Sequence, residues 1–208
     1  ARSIAAMIRG GQTAAVDMYY GRPSVPHFGT ESVLRGYVDS GFRVVFGLVS
    51  RDQHVYAHDA DDCFLKRLPP ELAAEVKASP MGYPWPLDEV FTTYDQLART
   101  WDGYDRRIRT VLAPDWTPAC SDELYQRCRR LADEYDTGIT SHVLETRADM
   151  HFSHQRYGMP ALERLNRLGV LGPDMVCAHF VWVTDDELRI FADSGAVAQP
   201  ARVARPAS

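Results

Sequence analysis

The chain has 208 residues, 45% of them hydrophobic and 25% charged, with a formal net charge of −5. That is apolar material enough for one sizeable core, and without a Lys/Arg run it argues against nucleic acid or an anionic membrane as partner. Small polar or cationic molecules are left, and with no signal peptide and no apolar run of membrane-spanning length the chain reads as a soluble cytoplasmic protein.

Four cysteines (Cys63, Cys120, Cys128, Cys177) lie scattered, with no C-x-x-C, as expected of reduced and mostly buried thiols. The chain opens on Ala1-Arg2-Ser3, inside what reads as a helix. It closes on a low-complexity run from Gln199 to Ser208. Both ends therefore read as cuts through a longer protein, and the division expected is one folded segment over 1–197 and a tail over 198–208.

In chain order, Ile4 to Arg9 predicts the end of a helix closed by Gly10-Gly11, and Thr13 to Tyr19 a buried strand. Thr30 to Ser40 is helical up to Gly41. Phe42 to Val49 is β-branched and aromatic, as a pleated, half-buried strand favours. From Ser50 to Pro86 the periodicity breaks down around His54, His58, Pro69-Pro70 and Gly82 to Pro86. A structureless insertion of that length is expected to be a lid or binding loop. A helix over Leu87 to Trp101 and a strand over Ile108 to Ala113 follow. Ser121 then caps a helix with Asp122 and Glu123 in its first turn. Gly138 to His142 is a strand leading into a short helical loop. Pro160 opens a helix that stops at Gly169. Met175 to His179 is the fifth strand. Thr184 and Glu187 form a capping box for a last helix ending at Gly195. Five strand–helix units in strict alternation predict parallel strands joined by crossovers. An open doubly wound sheet is the other form of this pattern. With no G-x-G-x-x-G after the first strand, and polar clusters at strand C-termini, the expectation is a partial (β/α)8 TIM barrel, roughly strands two to six with their helices.

The chemistry gathers at two of those strand ends. His142-Val143-Leu144-Glu145 sets an imidazole able to hold a metal three residues before a carboxylate able to move protons, and His179 ends the next strand. In a parallel barrel the strand C-termini surround the active site, so the two imidazoles are expected to converge on one mouth. A metal lowers the pKa of bound water to about 7, and a carboxylate beside that water can pass its proton to a substrate nitrogen or leaving group. Glu145 is the candidate for that role. The alternative is a pair of buried histidines bonded to backbone. Other candidates are weaker. His151 and His154 read as a solvated helix face. His54 and His58 lack the glutamate of H-E-x-x-H. Asp17 reads as a loop cap or support for the mouth, Tyr19 and Tyr20 as pocket lining, and Trp182 as packing.

The stretch ITSHVLETRADMHFSHQRYGMPALERLNRLGVLGPDMVCAHFVWVTDDEL closely resembles the amidohydrolase superfamily, in its aminohydrolase and chlorohydrolase branch. MIRGGQTAAVDMYY resembles that branch's second barrel strand, and IRTVLAPDWTPACSDEL its fourth strand and following loop. The resemblance implies one divalent metal, zinc or alternatively iron, held by an H-x-H on the first strand, a histidine on the fifth and an aspartate on the eighth. It makes His142 the fifth-strand metal ligand, Glu145 the proton shuttle, and His179 a catalytic contact to the hydrolytic water or substrate. Dinuclear relatives carry a lysine at the end of strand four. Only Lys66 and Lys77 occur in this chain, and neither lies between Ile108 and Pro114.

The chain also departs from that pattern. It contains no H-x-H, and Ala196 to Pro200 only faintly echoes the seventh strand of relatives. One metal-binding histidine does not retain zinc where three or four ligands are the norm, so the segment alone is expected to be inactive. Where many relatives place a substrate-contacting histidine, this chain has Asp115-Trp116. The aspartate could pair with an amino or amidine group and the tryptophan stack on a heteroaromatic ring; a loop turn and a packed indole are the other reading. The expected substrate is an amino- or halogen-substituted heterocycle. A cyclic amide, or a non-catalytic truncated barrel that self-associates through unpaired edges, is the alternative.

Overall fold

The computed structural model describes residues 2–21, 29–53, 56, 61–79 and 85–200. Its frame is one sheet of six parallel strands in chain order: β1 (Ala14–Tyr19), β2 (Arg43–Ser50), β3 (Ile108–Pro114), β4 (Ile139–Val143), β5 (Met175–His179) and β6 (Val197–Pro200). Each strand pairs with its neighbours in sequence, giving a curled half-barrel as expected of a partial (β/α)8 barrel. The helices are α1 (Arg2–Arg9), α2 (Glu31–Asp39), α3 (Asp61–Lys66), α4 (Pro70–Ala78), α5 (Leu87–Trp101), α6 (Asp122–Glu134), α7 (Arg147–Tyr157), α8 (Ala161–Arg167) and α9 (Asp185–Ser194).

Strand alternation divides the sheet into two faces. On the helix-covered face Val44, Phe46, Leu48, Ile108, Leu112, Ile139, Val143, Met175 and Cys177 join one core with Leu34, Phe91, Leu97, Leu124, Tyr125, Leu162 and Leu165. The concave face carries Val45, Gly47, Val111, Ala113, Thr140 and His142. It is tight at its centre: a Cβ on Gly47 would lie 2.8 Å from the Ala113 Cβ and 3.3 Å from the Val111 Cγ2. At the outermost strands the same face is open, and Val16 of β1 and Val197 of β6 are 47% and 50% exposed.

Two sequence expectations need correction. The 50–86 stretch is not structureless, for it contains α3 and α4. Both are short and α4 buries no residue, so they lack the apolar periodicity that marks a helix. Pro70, read as a loop marker, stands in the first turn of α4, where its missing N–H costs nothing. His54 and His58 lie outside the described residues. The second correction concerns the sixth strand. Val197–Pro200 pairs with β5 through Val176↔Val197 to His179↔Pro200, so a strand stands where only a faint echo of one was expected. It runs past residue 197, where the tail was drawn, and residues 201–208 lie outside the described ones.

Candidate active site

His142 is on the concave face at the C-terminal end of β4. The chain leaves β3 through Pro114 and Asp115, and Trp116 makes a further parallel bridge to His142. The Asp115 carbonyl thereby accepts two bonds from one residue, the His142 backbone N–H at 2.8 Å and its ring Nδ1 at 2.9 Å. A carbonyl only accepts, so the proton sits on Nδ1 and the Nε2 lone pair is left free. Burial works against protonating this ring. Hydrogen bonds and charge from Asp115, with the charge of Glu145, outweigh it and hold the pKa above the ordinary histidine value.

His179 reaches the same place by breaking a rule. It pairs in register with Val143, and alternation would send it to the helix side with Met175 and Cys177. Its ring nevertheless stacks on His142, centroids 5.3 Å apart and planes at 27°. The backbone explains this. His179 and Phe180 have φ of 71° and 51°, left-handed conformations that turn the imidazole off the strand's alternation. Leu144, at φ 54°, does the reverse on β4 and drives its side chain into the core, leaving Glu145 at the mouth. Such residues cost about 1–3 kcal/mol each. Here they are held by a strap in which the Val143 carbonyl accepts from Phe180 N–H (3.0 Å) and the Leu144 carbonyl from Val181 (3.1 Å) and Trp182 (3.0 Å). The result sets His179 Nε2 3.6 Å from Glu145 Oε2, with Glu145 49% exposed.

Asp115 is 4% exposed. Its Oδ1 accepts from the Tyr20 hydroxyl at 2.5 Å and lies 3.4 Å from His142 Nδ1; its Oδ2 is 4.0 Å from Arg51 Nη1. Burial, then the Asp115 charge, push the Tyr20 hydroxyl above the ordinary tyrosine range, so it remains a donor. Trp116 stacks on Phe152 (6.2 Å, 11°). Trp182 is 38% exposed under the Arg147 guanidinium, 4.6 Å above its ring.

The structure thus brings His142, His179, Glu145 and Asp115 together, with Trp116 alongside. It sends other candidates elsewhere. Asp17 faces the helix side and accepts from Tyr37 of α2 at 2.8 Å, so it does not support the mouth. Tyr19 packs on Phe46 at 5.6 Å, and only Tyr20 of that pair reaches the site. His151 and His154 are exposed on α7. Sequence reading missed two arginines: Arg51, facing Asp115, and Arg164, which is 3% exposed and clamps the loop after β3. The signal for Arg164 was its place between Leu162 and Leu165 on a buried helix face. A cavity of about 700 Å³ lined by Glu31, Trp85, Glu89 and Trp101 lies between α2 and α5; it contains no imidazole and is not this site.

A metal fits this cluster in part. His142 Nε2 is in the form a metal requires, but no three His, Cys, Asp or Glu side chains among the described residues are placed to hold an ion together.

Parallel strands whose carboxyl ends gather imidazoles and a carboxylate are arranged as at the mouth of a β/α barrel. The chain belongs to the amidohydrolase family, whose model matches residues 1–205. It is 36% identical over 101 residues to a 5'-deoxyadenosine deaminase of Methanosarcina barkeri, covering 48% of this chain and 23% of that protein. A 5-methylthioadenosine/S-adenosylhomocysteine deaminase of Thermococcus onnurineus is 27% identical over 190 residues, 91% of this chain and 36% of the relative. Among solved structures, a zinc-bound adenosine deaminase of Xanthomonas campestris superposes with a TM-score of 0.70 at 26% identity, over 94% of this chain and 36% of that one. The zinc complex of an atrazine chlorohydrolase of Arthrobacter aurescens shares the fold, with a TM-score of 0.77 at 20% identity over 94% and 40% of the two chains. The chain spans between about a quarter and two fifths of the length of these relatives. No described helix is long and apolar enough to cross a membrane.

Proposed function

We propose that this mouth is part of the active site of a metal-dependent hydrolase that removes an amino group or halogen from a small heterocycle, most simply a deaminase. The observation that carries it is the convergence of His142, His179 and Glu145 at the ends of β4 and β5, with strained backbone maintained to achieve it. Relatives named as deaminases support the C–N bond over the C–Cl bond. A cytoplasmic setting agrees with three buried free thiols.

His142 would supply one ligand through Nε2, the remaining ligands coming from outside the described residues. The metal, zinc or alternatively iron, would supply a water acidic enough to attack near neutral pH. Glu145, exposed to the mouth, is the residue that would take a proton from an attacking water and deliver it to the ring nitrogen beside the attacked carbon. It would then carry the proton of the newly added hydroxyl to the departing amine, so that the C–N bond breaks, a C=O bond forms and ammonia leaves. His179, its Nε2 3.6 Å from Glu145 Oε2, would stand beside the carboxylate and the attacking oxygen. Trp116 is the candidate to flank a flat ring. Asp115, almost fully buried, is better placed to serve His142 than to touch substrate.

On the purified chain alone, less than one zinc per chain and no ammonia release are expected, and stoichiometric zinc with turnover would contradict the incomplete-site reading. The hydrolase reading is tested on a chain supplied with the metal-binding strands that relatives carry, where no ammonia release from any amino-substituted heterocycle would contradict it. A second reading, a non-catalytic scaffold that self-associates, rests on the exposed Val16 and Val197 at the two outer strands. A clean monomer on size exclusion argues against it.

A further inference from the structure

We propose that Asp115 is a positioning residue, its Oδ1 gripping the His142 imidazole on one side and the Tyr20 hydroxyl on the other, so that three strand ends are fixed around one ring. The proposal rests on the reading of His142 as a metal ligand.

A carboxylate with 4% exposure is costly to bury without partners, and this one has the Tyr20 hydroxyl on Oδ1 and the Arg51 guanidinium 4.0 Å from Oδ2. Tyr20 follows β1, Asp115 follows β3 and His142 ends β4, so the contacts of 2.5 Å and 3.4 Å tie together elements far apart in sequence. Both converge on Oδ1, which leaves that oxygen little capacity for a substrate. Nδ1 of His142 meets two acceptors from the same residue, the Asp115 carbonyl at 2.9 Å and Oδ1 at 3.4 Å. Between two acceptors it must carry the hydrogen, and Nε2 then faces the mouth as a bare lone pair. Outer partners of this kind set the tautomer and ring orientation of metal-binding histidines. Tyr20 gains a second role. With its hydroxyl anchored, its ring is held 6.1 Å from His142 at 39° and, at 58% exposure, walls the mouth.

The test is the tautomer of His142, read from long-range proton–nitrogen NMR correlations of histidine-labelled chain above the titration range, the signal assigned by its loss in His142→Gln. Wild type should give a single Nδ1–H form. Asp115→Asn keeps an acceptor at Oδ1 and should preserve that signature. Asp115→Ala keeps only the backbone carbonyl, 2.9 Å from Nδ1, as acceptor and should admit a detectable share of the Nε2–H form, and Tyr20→Phe a smaller share, because Oδ1 is no longer anchored. Near-UV circular dichroism checks folding. If Asp115→Ala does not fold, the contrast between Tyr20→Phe and Asp115→Asn decides. An Nε2–H form in wild type overturns the proposal. So does a signature unchanged in Tyr20→Phe and in any folded Asp115→Ala, or loss of the signature in Asp115→Asn. The signal needs neither metal nor turnover. The expected tautomers, with no ammonia release even from a chain supplied with the metal-binding strands that relatives carry, would sink the hydrolase reading and leave this one intact.

Discussion

Replacing Arg164 should loosen the loop that carries Asp115 and Trp116. The guanidinium donates from Nε to Asp122 Oδ1 (2.8 Å), from Nη1 to the Thr117 carbonyl (2.9 Å) and from Nη2 to the Cys120 carbonyl (2.7 Å), and lies 3.5 Å over the Tyr157 ring. Arg164→Ala removes charged donors from two loop carbonyls, worth about 1.5–3 kcal/mol each. The Cys120 carbonyl keeps a bond from the Tyr157 hydroxyl at 3.1 Å, and the Asp122 side chain, 58% exposed, can turn to water, so neither loss counts in full. The net expectation is a destabilisation of about 3–4 kcal/mol, a large part of a typical domain's total. Arg164→Lys keeps the charge without the fork and should cost roughly half as much. Urea unfolding followed by tryptophan fluorescence measures both, with the slope unchanged. A loss below about 1 kcal/mol for Arg164→Ala would refute the idea that this clamp holds the loop.

Gly47→Ala sets a methyl 2.8 Å from the Ala113 Cβ, which cannot rotate away; about 1–3 kcal/mol should be lost, with part regained in Gly47→Ala/Ala113→Gly. Equal losses in the single and double variants would show that the clash lies elsewhere. Burial pushes Cys177 up to about 12 and Cys120 and Cys128 well above the ordinary thiol range, whereas Cys63 is exposed. Ellman's reagent at mild alkaline pH should therefore titrate one fast thiol per native chain, and all four only after unfolding; two or more fast thiols would contradict this packing. Arg129 grips Asp174 at 2.6 and 2.9 Å and holds its carboxyl below the usual range. A depressed folded pKa contributes stability above the unfolded value of about 4, lost as pH falls through the folded one. Asp174→Asn should flatten the acid limb of the stability curve there, and parallel curves for variant and wild type would contradict the assignment.

The parallel frame was readable because each strand is an apolar run ending at a polar cluster and each long helix carries caps or stop signals. Ser121 and Thr184 cap their helices as their positions implied. The site was readable in its members but not in its geometry. Period-two alternation alone would separate His142 from His179, and what joins them is a pair of left-handed residues with no glycine to announce them. Asp17 shows the converse, a polar residue near a strand end whose parity sends it to a helix tyrosine. The helices α3 and α4 escaped notice because neither needs an apolar stripe to sit where it does. Val197–Pro200 is too short for its pattern to speak without the neighbouring strand.

In the proposed site Glu145 moves protons beside His142 and His179. The most direct measurement is ammonia release from amino-substituted purines, pyrimidines and triazines by a polypeptide in which this segment is joined to the metal-binding strands of a relative. We expect turnover that falls by about 10²–10⁴-fold in Glu145→Gln with zinc content unchanged. Turnover that survives the substitution would contradict the claim.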